Sequence, residues 1–276
     1  MYYKIIPVFN GSFSIDFAGI FGVRQNDFPF NPVIRNSPSL VFLLIDENEK
    51  ALLVDTGFDE KYIWGFPPHA SFQREEKDLL HLALSAHGYQ PEDISTVIIT
   101  HLHWDHTGGM KYFPNADFFV QVAEFKTLTE LETKKETAYH PEHWLPLLSQ
   151  LRLVNGDIEL RPGINLLFTG GHTPGHQAVE INTRSGPVIL GGDLLFDYTS
   201  LWEDLSPDTW ERLKTGPGKD MFWKKDLAER INKWFSEQET GKRQSESVPG
   251  IKKLESRGAR VLFSHDPKLI NTGIIE

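Results

Sequence analysis

Residues 95–109 have the sequence STVIITHLHWDHTGG, in which an apolar run is followed by a cluster of histidines and an aspartate. Ser95–Thr100 is a short run rich in β-branched residues, which predicts a buried strand that presents the next residues at its carboxyl end. Four candidate metal ligands follow within six residues: His101, His103, Asp105 and His106. Imidazole nitrogens and carboxylates suit zinc, iron, cobalt or manganese. Alternate residues of an extended segment do not face one point, so a turn must gather them, and Gly108–Gly109 permit one.

Three further segments place a histidine or an aspartate after an apolar strand. GGHTPGHQAV offers His172 and His176 in and after a loop, ILGGDLLF presents Asp193, and VLFSHDP presents His265. We interpret His172 as a ligand and His176 as a residue that orients the ligands by hydrogen bonding. The carboxylate of Asp193 is costly there unless it is paired, hydrogen-bonded or metal-bound. Each residue alone has an ordinary structural alternative, but the four strand ends together predict one convergent site.

Length, charge and the absence of cysteine limit the number of domains, the partners and the metal ligands that the chain can have. The chain has 276 residues, with 28 Lys and Arg against 38 Asp and Glu, which gives a formal net charge of −10. This length suits one large domain or two small ones. The acidic balance disfavours nucleic acid as a partner. Because cysteine is absent, any metal must be held by nitrogen and oxygen ligands.

Targeting and membrane signals are also lacking. The opening MYYKIIPVFNGSFSID has no basic segment followed by a long apolar run, and no other stretch approaches the ~20 apolar residues that a bilayer span requires. We therefore expect a cytoplasmic enzyme with a small-molecule substrate and no membrane partner.

Strands and helices alternate along both halves of the chain. Strands are predicted over Tyr2–Asn10, Ser12–Val23, Leu40–Asp46, Ala51–Asp55, Ser95–Thr100, Asp117–Gln121, Leu151–Val154, Ile164–Thr169, Ala178–Thr183, Pro187–Leu190 and Arg260–Phe263. Helices are predicted over Gln73–Tyr89, Val122–Glu132, Met221–Phe235 and Pro249–Arg257. This order indicates the α/β (α+β) class and fits a four-layer αββα sandwich. We expect a single domain over residues 1–276, with a mobile polar connection near 236–248.

The ligand pattern resembles a known family. His101-x-His103-x-Asp105-His106 with His172, Asp193 and His265 resembles the full ligand set of the metallo-β-lactamase-fold hydrolases, over about Val54 to Asp266. In that family the aspartate of a segment like LLVDTG, here Asp55, supports the ligand loop without binding metal. The resemblance therefore implies both the sandwich fold and a metal-dependent hydrolase.

The same resemblance implies two divalent metal ions. His101, His103 and His172 would hold the first, Asp105, His106 and His265 the second, and Asp193 would bridge them, with a hydroxide between the metals as nucleophile. Two cations lower the pKa of a shared water, so that no dedicated general base is needed. Asp105 is the candidate to carry the proton to the leaving group. Zinc is the expected metal, and manganese, iron and cobalt stay open.

Within the family, HTPGHQAV and SHDP are similar to segments of N-acyl-homoserine lactonases, including quorum-quenching enzymes, and of related lactone hydrolases. This similarity implies opening of a lactone or a related carboxylic ester. Many such lactonases carry a tyrosine three residues after the bridging aspartate, where this chain has Phe196, and Tyr198 is a candidate catalytic substitute. An apolar pocket is expected from aromatic residues that could equally be core or dimer contacts, namely Phe17, Phe21, Phe28, Phe30 and Trp202.

Other functions of the same fold stay open. A glyoxalase II-like thioesterase is the first alternative because GGDLLF resembles its GDxLF segment, although the Gly-Cys-Gly-Arg continuation is missing: residues 197–200 are DYTS. A phosphoester or phosphotriester hydrolase comes next, since a metal pair suits in-line displacement. A non-catalytic metal scaffold and a diiron oxygen-reducing protein complete the set. The resemblance leaves a homodimer open.

Overall fold

The computed structural model describes residues 1–16, 33–62, 69–130, 138–194, 250, 253–254 and 256–276. Their strands form two sheets. The first sheet contains β1 (Tyr3–Asp16), β2 (Val33–Asp46), β3 (Ala51–Val54), β4 (Ala70–Gln73), β5 (Thr96–Ile98), β6 (Asp117–Gln121) and β7 (Leu151–Val154), in the order β4-β1-β2-β3-β5-β6-β7. The second sheet contains β8 (Ile158–Arg161), β9 (Ile164–Phe168), β10 (Gln177–Thr183), β11 (Gly186–Leu190) and β12 (Arg260–Leu262), in the order β12-β11-β10-β9-β8.

Strand directions place several carboxyl ends together. In the first sheet β3, β5, β6 and β7 are mutually parallel neighbours. In the second sheet β9 and β11 are both antiparallel to β10, and β12 is parallel to β11. The strands β9, β11 and β12 therefore run in one direction. The segments that follow them carry predicted ligands, as does the segment that follows β5.

The central strands β3 and β5, and β2 from Leu40 onward, are buried on both faces and are therefore mostly apolar on both. In β2, Val41 and Leu43 belong to one hydrophobic cluster and Phe42 and Leu44 to another, which is the alternation expected of a strand between two layers. One cluster lies between the first sheet and its helices, and the other lies between the two sheets. On the outer face of the second sheet, Leu254 packs with residues of β9, β10 and β11. The predicted αββα sandwich is confirmed.

The helices are short. Those with bounds in the described residues are α1 (Leu80–Ala86), α2 (Trp104–Thr107) and α3 (Val122–Glu130), accompanied by several 3₁₀ turns. Gly250, Lys253 and Leu254, within the predicted helix Pro249–Arg257, are also helical. The predicted helix over Gln73–Tyr89 is too long at its start, because Gln73 pairs with Ser12 in β4 and the charged residues after it form only a 3₁₀ turn, Glu76–Asp78. That turn has no buried side chain, whereas α1 buries Leu80 and Leu84. Within the described ranges no helix combines the length and apolarity of a membrane span.

The strand pattern differs from the prediction at several places: β2 begins at Val33 rather than at Leu40, β4 was not predicted, and β1 and β8 also differ. The two strands predicted on either side of Gly11 form one 14-residue strand, β1. Gly11 adopts φ +104°, and the register of β1 with β2 shifts between Phe9 and Ser12. A bulge of this kind lets a strand bend without ending. The strand β8 was not predicted, since Ile158–Arg161 alternates only briefly between apolar and charged residues. The predicted helix over Met221–Phe235 and the connection near 236–248 lie outside the described residues.

Candidate metal centre

The seven predicted ligands lie together in the structure. Every one is buried, and they form two groups whose ligand atoms lie within 4.8 Å of one another in each group. We call them group one, which contains His101, His103 and His172, and group two, which contains Asp105, His106, Asp193 and His265. The ligands come from four segments, which follow β5, β9, β11 and β12. The convergence expected from the four strand ends is therefore present in the fold.

Group one consists of imidazoles alone. The nitrogen Nδ1 of His103 lies 3.0 Å from Nε2 of His101 and 3.0 Å from Nε2 of His172. Burial, reinforced by the neighbouring histidines, lowers the pKa of His101 and of His103 well below its usual value. Both rings are therefore neutral, which is the form that coordinates a metal ion.

Group two combines two carboxylates with two imidazoles. The oxygen Oδ2 of Asp193 lies 3.2 Å from Nε2 of His265 and 3.3 Å from Nε2 of His106. Burial alone would raise the pKa of Asp193, but the adjacent His265 and His106 lower it well below its usual range. The Oδ2 atom of Asp105 lies 3.4 Å from Nε2 of His265. This group therefore presents oxygen and nitrogen ligands to one point.

Asp193 lies between the two groups. Its Oδ2 atom is 3.6 Å from Nε2 of His172 and 3.9 Å from Nε2 of His101, in addition to its contacts within group two. One carboxylate oxygen thus faces imidazoles of both groups. A position of this kind suits a carboxylate that bridges two cations.

The unsatisfied polar atoms of the site fit a divalent metal pair. Within the part of the chain that the structure describes, Oδ1 of Asp193 is buried and has no hydrogen-bond partner, and the buried Nε2 of His106 forms no hydrogen bond although Oδ2 of Asp193 lies 3.3 Å from it. Leaving a buried polar group unpaired costs about 1–3 kcal/mol. Coordination to a cation would remove that cost, and the nitrogen and oxygen donors match divalent metals such as zinc.

Hydrogen bonds from the far side of the rings orient two ligands. Nδ1 of His106 lies 2.8 Å from Oδ2 of Asp55, which also accepts a hydrogen bond from the hydroxyl of Thr100, while Oδ1 of Asp55 accepts one from the amide of Thr100. Nδ1 of His265 lies 2.6 Å from the carbonyl oxygen of Pro38. With Nδ1 donating in each case, Nε2 faces group two. Asp55 adopts φ +63°, a strained conformation for a non-glycine residue.

A one-turn helix gathers the ligands, which corrects the expected turn at Gly108–Gly109. His103 ends the extended segment, and α2 then carries Asp105 and His106. The glycines serve a different purpose. A Cβ atom on Gly108 would lie 2.1 Å from the backbone nitrogen of Asp59, so only glycine permits this approach of two backbones.

His176 lies outside both groups. Its Nδ1 atom is 2.6 Å from the hydroxyl oxygen of Thr169, and its Nε2 atom accepts a hydrogen bond of 3.2 Å from the amide of Asp193. The Cβ atom of a residue other than glycine at Gly192 would lie 2.4 Å from this Nε2 atom. His176 therefore contacts the backbone of the bridging candidate rather than the ligand atoms.

Sequence patterns did not indicate Glu124. This residue of α3 is fully buried, and its carboxylate accepts hydrogen bonds of 3.0 Å from the amide of Leu102 and 2.9 Å from the amide of Gly175. Burial raises the pKa of Glu124, and these hydrogen bonds oppose the rise. An acidic residue in the first turn of a helix is common on exposed surfaces, so the sequence carried no sign of its burial.

None of the residues predicted to contact the substrate carbonyl or acyl chain lies in the described part of the chain. Phe196, Tyr198, Phe17, Phe21, Phe28, Phe30 and Trp202 all lie outside the described residues. Other aromatic rings border the site. The ring of Phe13 lies 5.4 Å from that of His265 and 5.1 Å from that of Trp104, in edge-on contacts. One side of group two is therefore apolar.

Known proteins resemble this chain in both sequence and structure. An N-acyl homoserine lactonase from Bacillus sp is 37% identical over 156 residues, which are 53% of this chain and 60% of the relative. The enzyme of the same name from Bacillus cereus is 36% identical over 166 residues, or 57% of this chain and 64% of the relative. The chain thus spans less than two thirds of the length of these curated relatives.

Solved structures align over a larger share of the chain. An N-acyl homoserine lactone hydrolase with the product N-hexanoyl-L-homoserine bound at its catalytic metal centre has a TM-score of 0.66 and 25% identity, and the alignment covers 97% of this chain and 95% of that chain. AidC, a dizinc quorum-quenching lactonase, has a TM-score of 0.57 and 20% identity over 99% of this chain and 89% of that chain, a likeness of fold alone. The sequence model that describes the metallo-beta-lactamase superfamily matches residues 35–231 of this chain. The chain belongs to the metallo-beta-lactamase superfamily.

Proposed function

We propose that the protein is a dinuclear metal-dependent hydrolase that opens a lactone, similar to an N-acyl-homoserine lactone, or a related carboxylic ester. This proposal rests on the position of Oδ2 of Asp193 between two buried ligand groups. Group one would hold one ion, the other residues of group two would hold the second, and Asp193 would contact both. Zinc is the proposed metal, and manganese, iron and cobalt suit the same donors.

The chemistry follows from the ligand arrangement. When bound, a pair of divalent ions lowers the pKa of a water between them and polarises a carbonyl oxygen. Asp105 lies at the edge of group two, with its Oδ2 atom 3.4 Å from His265. We propose that this carboxylate carries a proton to the departing alkoxide of the opened ring. The ring of Phe13 lies against that of His265 and makes one side of group two apolar.

The relatives support the choice of substrate. The similar curated proteins are N-acyl homoserine lactonases, and the solved relative at 25% identity carries an N-acyl homoserine product at its metal centre. Location in the cytoplasm stays a prediction, as does assembly as a homodimer.

A small substrate panel tests the function. Metal-replete enzyme is assayed by proton release with short- and long-chain N-acyl-homoserine lactones, a simple γ-lactone and S-lactoylglutathione, with a chelated sample as control. We expect turnover of the lactones that is lost on chelation. Turnover of the thioester alone would instead place the protein with glyoxalase II-like thioesterases. Lactone turnover that survives complete metal removal would contradict the proposed mechanism.

Tyr198 has a separate test. We propose that its hydroxyl donates a hydrogen bond to the substrate carbonyl, in place of the tyrosine that Phe196 replaces. Tyr198→Phe should then lower kcat/KM for a lactone about 10- to 100-fold, the effect of losing a hydrogen bond worth roughly 1.5–3 kcal/mol. Tyr89→Phe is the control, because the hydroxyl of Tyr89 donates to the carbonyl oxygen of Glu49 at the exposed surface. Equal activity of the two variants would remove Tyr198 from the mechanism.

A further inference from the structure

Glu124 connects the two segments that supply group one. Its Oε1 atom accepts a hydrogen bond from the amide of Leu102, the residue between His101 and His103. Its Oε2 atom accepts one from the amide of Gly175, three residues after His172. A single buried carboxylate therefore binds the backbones of both ligand segments.

The contact at Gly175 is close. A Cβ atom on Gly175 would lie 2.0 Å from the backbone nitrogen of Glu124, so the loop that carries His172 rests directly on the start of α3. Nearer the strands, the amide of Gln177 donates to the carbonyl oxygen of Thr100 over 2.9 Å. That bond aligns the two segments at their strand ends, and Glu124 holds them together beside the ligands.

Packing alone does not explain why the carboxylate of Glu124 is buried. A buried charge is costly unless hydrogen bonds satisfy it, and an apolar side chain of similar volume would fill the same space at a lower cost. The two amides would in turn be unpaired without an acceptor at this position. The arrangement therefore stabilises one relative position of the two segments, and that position brings Nε2 of His172 to 3.0 Å from Nδ1 of His103.

We propose that Glu124 is a positioning residue that fixes the geometry of group one and thereby sets its affinity for a metal ion. This inference rests on the proposed function only in requiring that the site binds metal. It concerns group one, because Leu102 lies between His101 and His103 and Gly175 lies three residues after His172. Asp105 and His106 follow in α2, where the amide of Thr56 donates to the carbonyl oxygen of His106. Group two takes its ligands from α2 and from the segments after β11 and β12.

Metal affinity in single-site backgrounds tests the proposal. His265→Ala weakens group two and leaves group one intact, whereas His172→Ala does the reverse. Apo protein of each kind, with and without Glu124→Gln, is titrated with Zn²⁺ against a competing chelator. Glutamine keeps the shape but offers one oxygen, so at least one of the two amides loses its acceptor. In the His265→Ala background the substitution should lower affinity about 10- to 100-fold, the range for residues that orient metal ligands.

The controls separate positioning from general stability. Glu124→Gln should leave the affinity of the His172→Ala protein unchanged. Glu180→Gln removes another largely buried carboxylate, which accepts from Asn165 and Arg257 away from the ligands, and it should leave both affinities unchanged. The visible spectrum of the Co²⁺-loaded His265→Ala protein should shift with Glu124→Gln and stay constant with Glu180→Gln.

Several outcomes would overturn the proposal. Unchanged affinity in the His265→Ala background would do so, as would an equal loss in both backgrounds. A protein with intact Glu124 that binds no Zn²⁺ would overturn the proposed function together with this inference, whereas a normal wild-type titration with an unaffected Glu124→Gln variant would overturn the inference alone. If Glu124→Gln does not fold, Gly175→Ala displaces the same loop from α3 and must produce the same selective loss.

Discussion

At the scale of single residues, the site depends on which ring nitrogen faces the metal positions. Asp55 and the carbonyl of Pro38 each contact Nδ1 of a histidine, which directs Nε2 of His106 and His265 toward Asp193. The oxygen Oδ2 of Asp193 contacts imidazoles of both groups. A difference in role between Asp193 and Asp105 follows from these positions.

Substitutions of the two aspartates should therefore have different effects. Asp193→Ala removes the oxygen shared by both groups, so metal and activity should be lost together. Asp105→Asn should keep much of the metal, because three other residues of group two remain, but it should lower kcat about 100- to 10,000-fold through loss of the proton carrier. Metal content by elemental analysis and lactone turnover measure the two effects, and a thermal melt confirms that each variant folds. If both variants lose metal and turnover to the same extent, Asp105 has no separate role.

At the scale of secondary-structure elements, residues 106–108 of the ligand segment pack against the loop of residues 56–59. The amide of Thr56 donates to the carbonyl oxygen of His106, and the amide of Gly108 donates to the carbonyl oxygen of Gly57, each over 2.8 Å. Arg74 holds the loop of residues 56–59 in place, because it donates hydrogen bonds to Asn10 and to the carbonyl oxygen of Phe58. Two backbones thus lie in direct contact behind the ligands.

This contact predicts a large effect of one added methyl group. Gly108→Ala would place Cβ 2.1 Å from the backbone nitrogen of Asp59, so the segments must separate. We expect a loss of about 1–3 kcal/mol in the free energy of unfolding, as for overpacked cores, and weaker metal binding. Gly273→Ala is the matched control, since nothing lies within 4 Å of its Cβ position, and it should stay within about 0.5 kcal/mol of wild type. Denaturant unfolding with similar midpoints for both variants would contradict the close contact.

Several elements were predictable because their signals are local. The strands β5, β6 and β7 and the sequence after β5 combine a short apolar run with a polar end, and the structure places them where the pattern indicates. The start of α1 was not predictable in the same way. Pairing of Gln73 with Ser12 is a contact between distant parts of the chain, and it places Gln73 in β4, so that α1 begins only at Leu80.

At the scale of the whole molecule, two stacked sheets bring distant segments to one site. Helical and strand periodicity indicated the sandwich, and the residue types indicated seven ligands. The division of those ligands into two groups rested on family resemblance, and only the fold brings Asp193 between them. The role of Glu124 was not predicted, because its hydrogen-bond partners, Leu102 and Gly175, are 22 and 51 residues away along the chain. Long-range hydrogen bonds of this kind leave no periodic pattern in a sequence.

Diffraction from a crystal of the metal-replete protein, measured at the absorption edge of the bound metal, tests the dinuclear centre directly. We predict two anomalous peaks about 3.5–4 Å apart, as in other two-metal sites. One peak should lie among His101, His103 and His172 and the other among Asp105, His106 and His265, with Asp193 in contact with both. A single peak, or two peaks located elsewhere, would contradict the dinuclear centre on which the proposed hydrolase depends.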